Sequence, residues 1–368
     1  MHINIVEFIK RNTVLVVSII GAVVTSIMVP PDSKYVDYFD YKTLTCLFCT
    51  LAVVCALKNI NFFYILARRI VARFRTTRMC VLALVYITFI GSMLIANDMA
   101  LLTFLPLGYF VLTSTGKEKL MAYVFVLQNI AANLGGMLTP FGNPQNLYIY
   151  TRYEISNLEF IKIMFPPFIL SIVIITICCL CIKSEVLEIS DEHAEIQKSK
   201  TVLYFILFAL SVAVIFRTVP YIIGLIVIPS VLMIVDRKAL RMVDYPLLLT
   251  FVSFFIFAGN LARLEWIQNF FFDLLSTSTL LTSVLSCQFI SNVPTAILLS
   301  QFTDNYAELL VGVNIGGVGT LVASLASLIT FREYLNHNPG KGWSYIKLFS
   351  AINFGFLAIL VAESLILK

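Results

Sequence analysis

The sharpest chemical signal in this 368-residue chain is Asp98, a carboxyl group in the middle of an otherwise apolar run. An ionisable side chain at membrane depth costs roughly 2.5–3.5 kcal/mol on insertion scales and is usually functional. As a carboxylate it could bind Na+ through oxygen, with Asn97 and nearby carbonyls completing the shell. As an acid in a dry site it could carry a proton. The plain alternative is an N-cap for the run that begins at Met99, and capping is compatible with coupling. A second polar interruption, Ser291-Asn292-Val293-Pro294-Thr295, sits in another apolar run. With Asn133, these two clusters are the candidate coupling-ion residues: Asn97, Asp98, Asn133, Ser291, Asn292 and Thr295. Na+ is the candidate metal at Asn97, Asp98, Ser291 and Asn292, and no other cofactor is implied.

Two further stretches carry the same kind of signal twice. Asn133-Leu-Gly-Gly-Met-Leu-Thr-Pro-Phe-Gly-Asn-Pro-Gln-Asn-Leu147 and Asn314-Ile-Gly-Gly-Val-Gly-Thr-Leu-Val-Ala-Ser-Leu-Ala-Ser-Leu328 lie 181 residues apart and share five of fifteen positions. Average composition offers about one such identity by chance, so this is an internal repeat. Paired Gly/Pro interruptions at matching places in two halves point to the solute site of a secondary transporter. The breaks contain no Lys or Arg. An anion there would be held by free backbone N–H groups after Pro144 and Gly317, at restarting helix N-termini. Asn143, Gln145, Asn146, Asn314, Thr320, Ser324 and Ser327 are the candidate substrate-binding residues, and a bound Na+ could supply positive charge. For Gly135, Gly136, Gly316 and Gly317 the plain alternative is close helix packing.

These residues need elements at membrane depth to hold them. With 59% hydrophobic and 13% charged residues the chain reads as an all-α integral membrane protein. Its mean hydropathy of +0.91 agrees. Nine apolar runs are long enough for crossings if some tilt or snorkel: 13–29, 42–57, 119–148, 160–182, 201–216, 221–235, 246–258, 306–330 and 345–367. The first lacks a small-residue cleavage pattern after it and reads as a retained helix. Runs 79–113 and 276–302, each broken by polar residues, read as re-entrant hairpins whose tips face a site. The alternative is two ordinary helices joined by an external turn.

With the N-terminus placed in the cytoplasm, nineteen of the 26 Lys/Arg fall on the inside, which is the positive-inside bias. Residues 59–75 read as an amphipathic helix on that face, with 260–275 as the outer counterpart. Five crossings separate the two Asn-x-Gly-Gly segments, and an odd number inverts the second copy. The organisation is therefore a first inverted repeat over 1–182, a cytoplasmic linker over 183–200 and a second inverted repeat over 201–368. Other residues carry little chemistry. The eight cysteines read as buried thiols, Lys162 and Lys347 as snorkelling, Arg217 as part of an external turn, and Glu363 as reaching water. Tyr148, Tyr150 and Tyr153 read as an interfacial belt, and His2, His193 and His337 share no metal spacing. Nothing resembles a Walker loop, and no enzymatic or nucleic-acid-binding pattern is present.

The carriers Asn97-Asp98-Met-Ala-Leu-Leu, Asn133-Leu-Gly-Gly, Gly142-Asn-Pro-Gln-Asn146, Ser291-Asn292-Val-Pro294-Thr295 and Asn314-Ile-Gly-Gly resemble the ion transporter superfamily. That group includes citrate-transporter-like permeases, divalent anion/sodium symporters, arsenical-pump permeases and sodium/proton antiporters. The resemblance implies a scaffold domain, a transport domain holding both hairpins and both broken helices, a homodimer and elevator-like alternating access. In the symporters both tips read Ser-Asn-Thr; here the first is Ala96-Asn97-Asp98, more like the arsenical permeases and antiporters. The expectation is a multi-pass protein of the cell (inner) membrane, moving a small organic or inorganic anion coupled to Na+ or H+. Arsenite-type efflux or Na+/H+ antiport through Asp98 is the alternative, and a channel or membrane receptor on the same fold is a third class.

Overall fold

The computed structural model describes residues 12–186 and 197–367. His2, His193, part of the linker and the terminal charges Lys10, Arg11 and Lys368 lie outside the described residues. The described chain is helical, with a single antiparallel bridge, Thr76 to Val186, as its only β pairing. In chain order the α-helices are α1 (Thr13–Met28), α2 (Tyr41–Asn59), α3 (Phe62–Val71), α4 (Thr77–Ile95), α5 (Asn97–Ser114), α6 (Met121–Gly135), α7 (Pro144–Arg152), α8 (Asn157–Leu180) and α9 (Lys198–Ile215). They continue as α10 (Tyr221–Val235), α11 (Arg237–Arg241), α12 (Tyr245–Leu261), α13 (Glu265–Thr277), α14 (Thr279–Ile290), α15 (Asn292–Leu299), α16 (Tyr306–Ile315), α17 (Leu325–His337) and α18 (Gly342–Ile366).

Helix is the only open-ended way for apolar segments to satisfy every backbone donor and acceptor away from water. Where the chain leaves it, polar side chains take over the capping. Asp40, Thr76, Ser156, Asp244, Ser278, Asn305 and Ser324 each accept a hydrogen bond from an amide in the first turn of the helix that follows.

By length and hydropathy six helical stretches reach crossing size, or seven if α12 and α13, bent by 99°, count as one. The expected nine is therefore too many on this criterion. α1, α10, α14 and α16 stop at 10–17 residues, below the twenty or so that span a standard core. The run over 306–330 breaks into α16 and α17, while α4, expected as a hairpin arm, is nineteen residues long by itself.

Packing sorts the helices into two groups. In one, α1 lies along α12, while α9, α10 and α11 pack on α2. The other holds α4–α8 and α14–α18, with α4 against α6, α14 against α16, and α17 across α5 and α6. The groups meet where α12 touches α15 and α2 touches α7, and short α3 bridges α2, α4 and α5. Helix α3 buries Phe63, Ile65, Ala67 and Val71 and leaves Leu66 and Ile70 exposed; α13 exposes Trp266, Phe270, Phe272 and Leu274.

Two smaller expectations need correction. Tyr148 and Tyr150 are not a belt, because α7 is enclosed by α2, α15 and α16 and both rings are fully buried. The Tyr148 hydroxyl bonds Ser300 Oγ at 2.7 Å, and Tyr150 lies under the Arg217 guanidinium, which donates to the Tyr150 carbonyl at 2.7 Å. Cys181, at the end of α8, is exposed and Cys178 is half-buried, unlike the other six cysteines; all eight are free thiols.

Candidate functional site

Each of the four polar interruptions is a place where the helix stops and restarts within the second packing group. Between α4 and α5 the chain turns on Ala96 (φ 66°), and between α14 and α15 on Ser291 (φ 74°). Such left-handed backbone in a residue with a Cβ costs on the order of 1–3 kcal/mol and persists only when the surroundings fix it. The surroundings do so in the same way twice. The amide of Asn97 donates to the Gly142 carbonyl at 3.2 Å, and the amide of Asn292 donates to the Ala323 carbonyl at 3.0 Å. The Thr139 hydroxyl donates to the Met93 carbonyl and the Thr320 hydroxyl to the Gln288 carbonyl, both at 2.9 Å. In each case a turn between two helices is tied to the stretch between a broken pair, α6/α7 or α16/α17. Both Asn side chains also accept from the next amide at 2.9 Å, Asn97 from Asp98 and Asn292 from Val293.

From these anchors a buried amide network runs between the halves. Asn97 Nδ2 donates to Asn133 Oδ1 (3.2 Å), and Asn133 Nδ2 donates to the Asn129 carbonyl (3.1 Å). Asn129 Nδ2 donates to Ser327 Oγ (3.2 Å), whose own amide is capped by Ser324 Oγ (3.2 Å). Asn143 Nδ2 donates to both the Asn133 carbonyl and Asn314 Oδ1, each at 3.1 Å. Asn314 Nδ2 then donates to Asn146 Oδ1 at 2.6 Å, and Asn146 Nδ2 closes the break by donating to the Gly136 carbonyl at 3.1 Å. Two acceptors for Asn143 Nδ2 fix which end of that amide is nitrogen.

Two glycines make this closeness possible. A Cβ on Gly136 would lie 2.4 Å from Asn143 Oδ1, and one on Gly317 would lie 3.0 Å from Asn292 Nδ2. Gly136 is therefore required by polar contacts and not by helix packing alone, while at Gly317 a Cβ would press on the Asn292 side chain, which would have to give by a few tenths of an ångström.

What remains unpaired decides the chemistry. The Asn donors of the network are engaged and Gln145 Nε2 makes only a 3.5 Å contact, while the buried Asn143 Oδ1 and Gln145 Oε1 have no hydrogen-bond partner. The leftover capacity of the side chains is for accepting. It suits a hydroxyl hydrogen or a cation, whereas negative charge would be met by the amide ends of α7 and α17.

The site residues read from sequence are thus distributed unevenly. Asn97, Asn133, Asn143, Gln145, Asn146, Asn314, Ser324 and Ser327 share this network, with Gln145 Nε2 reaching Asn314 Oδ1 at 3.5 Å. Ser291 and Asn292 adjoin it through Ala323, the residue before Ser324, and the Thr295 hydroxyl turns back onto the Ser291 carbonyl at 2.8 Å. Thr320 lies apart, half-buried, because Gln288 takes both its amide and its hydroxyl. Asp98 also leaves the network. It lines a separate small cavity with Asp244 and Thr50 and bonds neither Ser291 nor Asn292. Residues missed in the sequence are Asn129, Gln288 and Gln128, the last donating from Nε2 to Thr88 Oγ1 at 3.0 Å.

A cavity of about 570 Å³ lies elsewhere, where the two packing groups meet at the far end of α7. Lys34, Asp40, Lys42, Tyr148, Arg152 and Gln301 are among its lining residues. At its edge Arg263 pairs with Asp32 at 2.7 Å, and that hydrogen bond holds the exposed Asp32 carboxyl below its usual range.

A model of the citrate transporter family matches residues 5–328 of the chain. An uncharacterized transporter of Methanocaldococcus jannaschii is 30% identical over 329 residues, covering 88% of this chain and 89% of that protein. The inner membrane protein YbiR of Escherichia coli K12 is 29% identical over 324 residues, 84% of each. The silicon efflux transporter LSI3 of Oryza sativa subsp. japonica is 30% identical over 167 residues, covering 45% of this chain and 34% of that protein.

Proposed function

The chain belongs to the citrate transporter family and is a multi-pass membrane transporter, not an enzyme, and we propose that it carries a small oxygen-rich anion, organic or inorganic, together with Na+ or H+. The observation that carries this reading is the buried amide network joining Asn97, Asn133, Asn143, Asn146 and Asn314 across both halves. Its unpaired acceptors, Asn143 Oδ1 and Gln145 Oε1, favour a solute that arrives with a proton or a metal cation. The N-termini of α7 and α17 face the negative charge that remains.

The matched turn-to-break bonds support an inverted repeat of 1–182 and 201–368, with α4/α5 and α14/α15 as re-entrant hairpins. The two packing groups correspond to a scaffold and a moving transport domain, and elevator-like exchange slides α7 and α15 along α2 and α12. The place of action is the cell (inner) membrane, with the N-terminus cytoplasmic and a homodimer as the assembly. Efflux of a neutral oxyacid is the second reading, favoured by the same unpaired acceptors and by the silicon efflux transporter among the relatives. Antiport of Na+ against H+ through Asp98 is the third.

Proteoliposomes separate these readings. Labelled citrate, phosphate, arsenite and silicate are offered with an imposed Na+ gradient, an imposed pH gradient or neither. Gradient-dependent accumulation of an anion is expected. Proton movement driven by Na+ without any solute establishes antiport instead, and channel-rate downhill flux of every solute removes the carrier reading.

A further inference from the structure

Residues 58–78, from the end of α2 to the start of α4, hold six cations, Lys58, Arg68, Arg69, Arg73, Arg75 and Arg78, and no Asp or Glu. Three of the six are built into the fold. Lys58 is half-buried at the end of α2, Arg68 lies over the Phe110 ring, and Arg78 donates to the Ile182 carbonyl at 2.8 Å. Arg69, Arg73 and Arg75 are exposed. Among the described residues no carboxylate pairs with Arg73 or Arg75, and the acids that pack at the two ends of this stretch are taken: Glu185 pairs with Lys117, and Asp236 accepts from Asn59 and Tyr204.

Helix α3 sets what lies beside these cations. It buries Phe63, Ala67 and Val71, and its turn continues through Arg73, whose amide bonds the Ile70 carbonyl at 3.2 Å. At 3.6 residues per turn Leu66, Arg69, Ile70 and Arg73 fall within one outward arc of about 100°. Leu66 is 41% and Ile70 36% exposed. A face turned to water has no use for exposed Leu and Ile, and a face turned to acyl chains cannot hold arginines at little cost. The mixture fits the headgroup level, where apolar side chains dip inward and guanidinium groups meet phosphate. The other amphipathic helix, α13, exposes Trp266, Phe270, Phe272 and Leu274 but carries Glu265 and Asp273 and no Lys or Arg. Of the two, α3 is the one that complements negative charge.

We propose that the outer face of α3 binds anionic phospholipid headgroups, with Arg69, Arg73 and Arg75 on the phosphate and Leu66 and Ile70 among the first acyl carbons. Basic clusters at the cytoplasmic ends of membrane helices attract negatively charged lipid in this way. A soluble phosphate would gain nothing from Leu66 and Ile70, so the lipid is the occupant that uses the whole arc. Helix α3 packs on α2 in one group and on α4 and α5 in the other, and a headgroup that holds α3 steadies both. This inference rests on the reading of this face as cytoplasmic.

The test is thermal melting of the full chain in detergent micelles in which phosphatidylglycerol replaces phosphatidylcholine at fixed total lipid. The melting temperature of the wild type is expected to rise with the phosphatidylglycerol fraction, and the rise to shrink at high salt. In Arg73→Gln/Arg75→Gln the rise should fall to less than half, and in Arg73→Lys/Arg75→Lys, which keeps both charges, it should persist. Lys198→Gln/Lys238→Gln removes two exposed cations from the same end of the molecule and should leave the rise intact. No rise in the wild type, a full rise in Arg73→Gln/Arg75→Gln, or a rise lost in the lysine-retaining variant or in Lys198→Gln/Lys238→Gln would each overturn the site on α3. So would an equal rise with glycerol phosphate in phosphatidylcholine micelles, which would make a soluble phosphate the occupant. Micelles have no sides and no transported solute is used, so failure here leaves the transport and orientation readings standing, and failure of those leaves this result standing.

Discussion

Replacing Asn314 with leucine removes the hub of the amide network while nearly conserving volume. Asn314 is 1% exposed. It donates to Asn146 Oδ1 at 2.6 Å and to the Leu310 carbonyl at 2.8 Å, and accepts from Asn143 Nδ2 at 3.1 Å. Asn143 keeps a second acceptor, the Asn133 carbonyl, so its loss is a net bond of about 1 kcal/mol. Asn146 Oδ1 has no replacement donor, and a stranded buried acceptor costs about 1–3 kcal/mol. Gln145 Nε2 loses a weak contact at 3.5 Å and adds little. The sum is about 2–4 kcal/mol. At ~2 °C per kcal/mol, melting in detergent should fall by about 4–8 °C relative to wild type. Thr320→Val is the control, since it removes one bond outside the network and should cost about 1 kcal/mol. If Asn314→Leu melts no lower than Thr320→Val, the amides are not a cooperative network and the reasoning fails.

Three further outcomes follow from the same contacts. Gly136→Ala forces a methyl to 2.4 Å from Asn143 Oδ1 and 2.8 Å from the Gly142 carbonyl; it should destabilise by about 1–3 kcal/mol in a thermal melt, whereas Gly355→Ala, with nothing within 4 Å, should be neutral or slightly stabilising. Gln288→Leu strands the Thr320 amide and the Gly316 carbonyl together, and should lower the melting temperature more than Thr320→Val does. For Asp32, the folded-state carboxyl is depressed by Arg263, so the stabilisation is present above its ordinary value of 3.8 and lost as pH falls through the lower folded value. Melting of wild type and Arg263→Gln should therefore differ at pH 7 and converge in strong acid, with a smaller gap at high salt.

Much of the site was legible because it is written twice. Asn133 and Asn314, Gly136 and Gly317, and Thr139 and Thr320 stand 181 positions apart, and a polar residue repeated at a fixed offset inside apolar runs stands out without any structure. Two polar residues without a polar twin went unseen. Asn129 aligns with Leu310 at that offset, and Gln288, 195 positions after Met93, has only an apolar counterpart. Both look like isolated polar residues until their bonds to Ser327 and Thr320 are seen. Only packing brings Asp244, at the N-terminus of α12, to the small cavity that Asp98 lines. The tyrosines of α7 misled for a physical reason: an amphipathic ring suits both a lipid interface and a buried hydroxyl partner, and enclosure by α2, α15 and α16 selects the second. Against the nine expected crossings, six or seven helical stretches among the described residues reach spanning length, because α1 and α10 are short and the run over 306–330 breaks into α16 and α17.

The most direct test of the central claim, that solute is held at the amide network, is the concentration dependence of uptake in Gln145→Met. This change removes the unpaired Oε1 acceptor and only a 3.5 Å contact, so the protein should stay folded. Loss of one solute contact worth about 1.4 kcal/mol predicts roughly a tenfold rise in half-saturating concentration of whichever solute the wild type accumulates. Uptake by folded Gln145→Met that saturates at the wild-type concentration would contradict the account.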